Sequence, residues 1–359
     1  MQNQDLINIT EIPFFFIIGR PRSGTTMLRS IFDNHPNICI PLESSYILIL
    51  SKKYKNIKYW TPDLLIQFYN DLFTEKNKFS EWKIDREKLK NDLLNAKGEN
   101  TYFNICKIVH LNYISQFRKD KIMIIGDKMP KYAVKLNDLI KIFPEALIIH
   151  IIRDYRDNLY SMLQVNFSHS IVAEILYQWR YSALLLKKLK KNYPEKILSI
   201  RYEDFVRKPK ESFQEMCNFL SVPYCPDAIE FNKYEEKIRS QFNTELFEKV
   251  QKSLLNPIDD RRINNWKGNL NKHQIILAKI IAGKTGLLYN YELNNDKVNL
   301  TNRVSVLMRI GVIRGYYLIF NLIQALPGFL RKQIKKVLPK LSSFYFKLFP
   351  KDKTAIIEE

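Results

Sequence analysis

The sequence predicts a three-layer α/β fold, with a central parallel sheet and helices on both faces, plus a C-terminal basic helical extension. Three observations predict it. Four short apolar runs, Pro13–Gly19, Lys121–Gly126, Ala146–Ile152 and Ile197–Tyr202, are continuous rather than alternating, as strands covered on both faces are. Helical patterns separate them. The first run also ends in a basic, glycine-containing turn that leads directly into a helix.

The elements follow in order. Pro13–Gly19 is a buried strand, and Thr25–Phe32 the helix behind it. The stretch Tyr46–Phe117 reads as mostly helical, with aromatic residues throughout. KIMIIG, Lys121–Gly126, is the second strand, followed by an amphipathic helix at Tyr132–Phe143. ALIIHII, Ala146–Ile152, is the third strand; helices follow at Asp157–Phe167 and Ile171–Lys191. ILSIRY, Ile197–Tyr202, is the fourth strand, and Pro209–Leu220 a helix. Two parts are expected: a main domain over 1–300 and a basic amphipathic tail over 301–359.

Composition narrows the function classes. The 359 residues are 46% hydrophobic and 26% charged, too apolar for a disordered chain. A formal charge of +20 favours anionic partners: nucleic acid, anionic lipid, or a phosphate- or sulfate-bearing substrate. Cys39, Cys106, Cys217 and Cys225 stand far apart and the five histidines are scattered, so neither a disulfide framework nor a metal site is expected. No basic leader or membrane span is read at the N-terminus, and the expected location is cytoplasmic. From 301 onward there are eleven basic and three acidic residues among apolar runs. That pattern reads as two basic amphipathic helices, broken near Pro327, which either pack on the main domain or lie on an anionic membrane surface through 301–350.

The segment FFFIIGRPRSGTTMLRSIFDNHP, Phe14–Pro36, carries the first chemistry. Gly19 to Gly24 has the G-x-x-x-x-G spacing of a phosphate-binding loop, which makes the fold P-loop-type. A helix N-terminus offers amides and a positive dipole end to an anion, and glycine lets the backbone come close. Thr25 stands where an ATP- or GTP-binding loop has lysine, and the cation has moved forward to Arg22. Further on, Arg153 follows a strand and Ser161 lies eight residues later; an arginine fork and a hydroxyl suit a second, separate phosphate. Arg156 reads as a solvated helix residue.

The loop, together with IIHIIRDYRDNLYSM (Ile148–Met162) and RYEDFVRKP (Arg201–Pro209), resembles the sulfotransferases that use 3′-phosphoadenosine 5′-phosphosulfate (PAPS), in the branch holding the tyrosylprotein sulfotransferases and bacterial relatives. The resemblance covers roughly 13–225. It implies transfer of a sulfuryl group from PAPS to a hydroxyl-bearing acceptor (glycan, lipid or tyrosyl), without a metal and with no nucleic acid as partner. It implies that Arg22, Ser23, Gly24, Thr25 and Thr26 hold the 5′-phosphosulfate, that Arg153 and Ser161 hold the 3′-phosphate, and that Tyr202 lies against the adenine. It implies Glu43 as general base, with Lys128 and Arg22 neutralising charge on the transferring group. RRINNWKGNL, Arg261–Leu270, resembles the basic segment that closes over the nucleotide, with Arg262 and Lys267 as candidates; Asn269 stands where the branch has lysine. His110 and His169 are the alternative bases.

Two other classes remain open at this point. A P-loop kinase or NTPase would use Lys128 and bind Mg²⁺ through Asp127, at the end of its strand. A non-catalytic membrane- or polyanion-binding protein would not need Arg22, Glu43, Lys128, Arg153 and Ser161 together. Neither the acceptor nor an oligomeric state is fixed by the sequence.

Overall fold

A computed structural model describes residues 11–74, 78–165, 171–244, 247–295 and 298–325 of the chain. His169 and the second tail helix, expected beyond Pro327, lie outside the described residues. The chain divides into two compact units: Met1–Arg153 with Leu185–Asp260, and Asp154–Leu184 with Arg261–Glu359.

The first unit holds a five-stranded, wholly parallel sheet. Its strands are β1 (Phe14–Ile18), β2 (Ile38–Cys39), β5 (Ile124–Lys128), β6 (Leu147–Ile152) and β7 (Ile197–Arg201), in the order β2-β5-β1-β6-β7. Two-residue strands β3 (Tyr59–Trp60) and β4 (Gly98–Glu99) form a separate antiparallel ribbon. The triple phenylalanine of β1 sits centrally because both faces of the sheet are covered. The Phe14 and Phe16 rings lie 5.0 and 5.1 Å from Phe143 on one face, and Phe15 packs on Phe32 at 5.2 Å on the other. Phe15 pairs in register with Gly126. A Cβ there would lie 2.5 Å from the Phe15 ring, so the close approach of these strands requires glycine.

Helices α1 (Thr25–Asn34), α2 (Tyr46–Tyr54), α3 (Pro62–Leu72), α4 (Arg86–Asn95), α5 (Tyr102–Leu111) and α6 (Tyr132–Ile142) belong to this unit. Their starts follow from local chemistry. Thr61, Asp85 and Thr101 each accept a backbone N–H of the first turn through the side chain, and Pro62 opens α3 at a position where its missing N–H costs nothing. Trp60, Tyr54, Phe68 and Tyr102 interlock among these helices, which accounts for the aromatic content of that stretch.

The second unit contains α7 (Tyr155–Leu163), the first part of α8 (Val172–Asn192), a Lys272–Ala278 helix opened by an Asn271–Gln274 capping box, and a Leu300–Ala325 helix. The Tyr155, Trp179 and Tyr291 rings pack in sequence within it, inclined to one another by about 60°. No helix among the described residues is long and apolar enough to cross a membrane.

Two expectations shift, and one strand is new. The second strand runs on through Asp127 and Lys128 instead of stopping at Gly126, so Lys128 is a strand residue. The fourth strand ends at Arg201, and Tyr202 opens the short helix α9 (Tyr202–Arg207), ahead of α10 (Pro209–Phe219). Strand β2 is too short for any periodicity to reveal; β5 defines it by pairing.

Candidate active site

The turn after β1 is built by backbone geometry. Ser23 N donates to Arg20 O at 3.2 Å, and both Arg22 (φ 67°) and Gly24 (φ 91°) take left-handed conformations. Gly24 is the N-cap of α1, and no side chain caps the helix there. The amides of its first turn, with Thr25 and Thr26, therefore form the end of a helix suited to an anion. A Cβ on Gly24 would stand 2.9 Å from the Tyr202 ring.

Lys128 reaches this helix end from the neighbouring strand, in register with Ile17. Its side chain is only 2% exposed. The ammonium donates to Thr26 Oγ1 at 3.2 Å and is ion-paired with Glu43, whose side chain is 34% exposed. Burial pushes the Lys128 ammonium down from the ordinary lysine range, while Glu43 pulls it back up.

Asp127 turns the other way, as alternate strand residues do. It accepts from the Lys128 amide at 2.7 Å and from the Tyr132 hydroxyl at 2.5 Å, with His110 Nε2 3.9 Å away. Burial, opposed by these two hydrogen bonds, pushes its carboxyl up to about 7. Both oxygens are thus engaged inside the core, which is not how a Mg²⁺-binding strand-end aspartate is presented. His110 is fully buried between Phe14 and Trp82, with Nδ1 2.8 Å from both the Tyr46 hydroxyl and Cys106 O, and burial pushes it down to about 4. It is a core histidine, out of reach of an acceptor. Among the described residues no group of three His, Cys, Asp or Glu is placed to hold a metal ion.

The segment that delivers Glu43 is held from behind by a residue that the sequence did not single out. Arg29 on α1 is 1% exposed. Its Nε donates to Pro41 O at 3.1 Å, and its Nη2 lies within 3.0–3.1 Å of Ile40 O, Asp33 Oδ2 and the Tyr113 hydroxyl. Its Nη1 meets the Gln241 side chain. Trp82 Nε1 donates to Leu42 O at 2.9 Å. Three successive carbonyls before Glu43 are therefore fixed by buried donors. The one sequence signal was a charged i,i+4 pair, Arg29–Asp33, inside an otherwise uncharged helix.

Arg153, 5% exposed, follows β6 directly. It donates from Nη1 to Arg22 O at 3.1 Å, and its guanidinium lies 4.7 Å from the centroid of the Tyr202 ring. The structure thus brings Arg22, Gly24, Arg153 and Tyr202 together beside Thr25 and Thr26.

Ser161, Arg262 and Lys267 belong to the second unit. Ser161 is half-buried on α7, and Arg262 and Lys267 are exposed. The turn they flank is anchored by Asp157, whose carboxylate accepts the Asn264 amide at 2.8 Å and the Trp266 amide at 2.9 Å. Arg156 is not the solvated residue expected from its place on a helix. It is 6% exposed, paired with Asp154 and stacked 4.2 Å from the Trp266 ring centroid.

The donor set fits a nucleotide phosphosulfate. Backbone amides and hydroxyls at a helix end, the Arg22 cation, a buried lysine and an arginine beside an aromatic ring all recognise anions or a ring, and a half-exposed carboxylate stands next to the lysine. Comparisons agree. The model of the sulfotransferase family matches residues 13–226. Protein-tyrosine sulfotransferase 1 of Danio rerio is 23% identical over 288 residues, covering 76% of this chain and 72% of that one. The Drosophila melanogaster protein-tyrosine sulfotransferase is 24% identical over 277 residues, covering 72% of this chain, which spans about half (48%) of the fly protein. In fold, the chain is similar to the sulfotransferase domain of the Synechococcus PCC 7002 olefin synthase, with a TM-score of 0.55, 18% identity, and coverage of 79% of this chain and 96% of that domain. The chain belongs to the sulfotransferase family and catalyses PAPS-dependent sulfuryl transfer to a hydroxyl-bearing acceptor.

Proposed function

We propose that Glu43 is the general base and that Lys128 and Arg22 neutralise charge on the transferring group, with the acceptor a membrane-associated lipid or glycan hydroxyl. The single observation that carries this reading is the Lys128 ammonium in contact with both Glu43 and Thr26. It ties the carboxylate to the first turn of the anion-binding helix. Bound there, PAPS supplies the electrophilic sulfur and leaves as 3′-phosphoadenosine 5′-phosphate (PAP). Glu43 takes the acceptor's proton, and Lys128 and Arg22 offer preorganised positive charge on the donor side. Arg153 is the residue for the 3′-phosphate and Tyr202 the ring for the base. Ser161, Arg262 and Lys267 are assigned to the nucleotide on the family resemblance. A sulfuryl group carries less negative charge than a terminal phosphoryl, so these cations suffice without Mg²⁺.

The name of the animal relatives supports a tyrosyl acceptor, while the basic tail supports one at a membrane. We favour the latter, at a cytoplasmic membrane surface. An acceptor screen with ³⁵S-labelled PAPS in EDTA, with separate lipid, glycan and tyrosyl-peptide arms, tests it. Label in the lipid or lipid-linked glycan arm supports the reading. Label only in peptide replaces the acceptor class, and transfer seen only with ATP and Mg²⁺ would overturn the chemistry.

A further inference from the structure

The Leu300–Ala325 helix has two apolar faces, not one. Val306, Ile310 and Ile313 are buried within the second unit. Leu300, Val304, Leu307, Met308, Leu318 and Leu322 are exposed, with Leu307 and Met308 63% accessible each. At the helical 3.6 residues per turn these six fall within an arc of about 100°. Gly311 and Gly315 lie in the same arc, and an added Cβ on either would meet nothing within 4 Å. Arginines mark both borders between the two faces. Arg303 and Arg314, both exposed, stand along one edge, and half-buried Arg309 along the other. The sequence left two alternatives for this helix, packing on the domain or facing a membrane; the two faces accommodate both.

We propose that this stripe is the docking surface for an anionic phospholipid bilayer, with the helix lying along the surface and its arginines reaching the headgroups. Two observations choose the occupant. No aspartate or glutamate occurs from 297 to 351, while residues 301–359 carry eleven lysines and arginines. An apolar stripe whose only charged neighbours on the helix are cations is complementary to a layer with acyl chains beneath anionic headgroups. A second copy of the chain would instead bring Arg303, Arg309 and Arg314 against their equivalents, on a molecule of charge +20. The helix is not apolar enough to span a bilayer, so it rests on the surface. The proposal shares with the functional reading only the place where an acceptor is met.

The test uses the full chain with phosphatidylcholine vesicles, with and without phosphatidylglycerol, and neither donor nor acceptor. Its failure therefore leaves sulfuryl transfer untouched. The protein should sediment with the anionic vesicles and be released by salt. The double substitution Leu307→Glu and Leu318→Glu should weaken partitioning by about tenfold or more. PAP binding should be unchanged, which also reports correct folding. Arg303→Glu with Arg314→Glu should weaken partitioning as well, whereas Ile49→Glu, at an exposed apolar position on α2, should not. Equal sedimentation of wild type and both double variants would overturn the proposal. So would indifference to phosphatidylglycerol, or a wild-type dimer that the leucine substitutions disperse.

Discussion

Lys128, buried at the end of β5, pairs with the Glu43 carboxylate on one side and donates to Thr26 Oγ1 on the other. A carboxylate and the first turn of α1 are thereby joined through one ammonium. Desolvation pushes the Lys128 ammonium down from the ordinary lysine range, and the paired Glu43 carboxylate opposes that shift.

Arg153 predicts nucleotide selectivity. Its guanidinium is fixed by the Arg22 carbonyl and by the Tyr202 ring, so it presents an oriented fork. PAP should bind more tightly than ADP by about 1.5–3 kcal/mol, the scale of hydrogen bonds to charged groups. Arg153→Ala should remove most of that difference in a calorimetric titration. Equal affinities in the wild type would remove the 3′-phosphate role.

Arg29 predicts a stability effect. The guanidinium joins α1 to Ile40, Pro41, Asp33 and Tyr113 inside the core. Arg29→Met keeps comparable bulk but strands these acceptors, and breaking a buried pair costs about 3–5 kcal/mol. Urea denaturation should show a loss of that order. A loss well below it would mean that Lys119 and Ser115, the other partners of Asp33, carry the cluster.

Asp127 predicts a pH signature. Its carboxyl sits near 7 in the folded chain, against an ordinary value of 3.8, chiefly through burial. The unfolded chain loses this proton first. The stabilisation from the neutral form is therefore complete below about 3.8 and disappears as pH rises through about 7. Asp127→Asn cannot titrate and can keep hydrogen bonds to Tyr132 and the Lys128 amide. The stability of wild type relative to this variant should fall between pH 4 and 7 in denaturant titrations. A difference that rises with pH, or stays flat, would contradict a neutral buried carboxyl.

Much of this was legible in the chain itself. The continuous apolar runs marked β1, β5, β6 and β7, and the G-x-x-x-x-G spacing marked the loop, because both patterns are local. Glu43 and Lys128 came from family resemblance, and Arg22 from the loop itself; the structure adds their contacts. What stayed hidden depends on distant partners. Arg29 reads as one more helix cation until Tyr113 and Gln241, 84 and 212 residues away, are seen around it. Arg156 reads as solvated until Trp266 covers it. β2 and the β3–β4 ribbon have two residues per strand, too few for alternation to show.

The most direct test of the central claim is Glu43→Gln, assayed for PAP affinity and for turnover once a working acceptor is known. The amide preserves shape and can still meet Lys128, but it cannot take the acceptor's proton. PAP affinity should change little. Turnover should fall by about 10²-fold or more. Near wild-type turnover in this variant would contradict the account and place the base elsewhere.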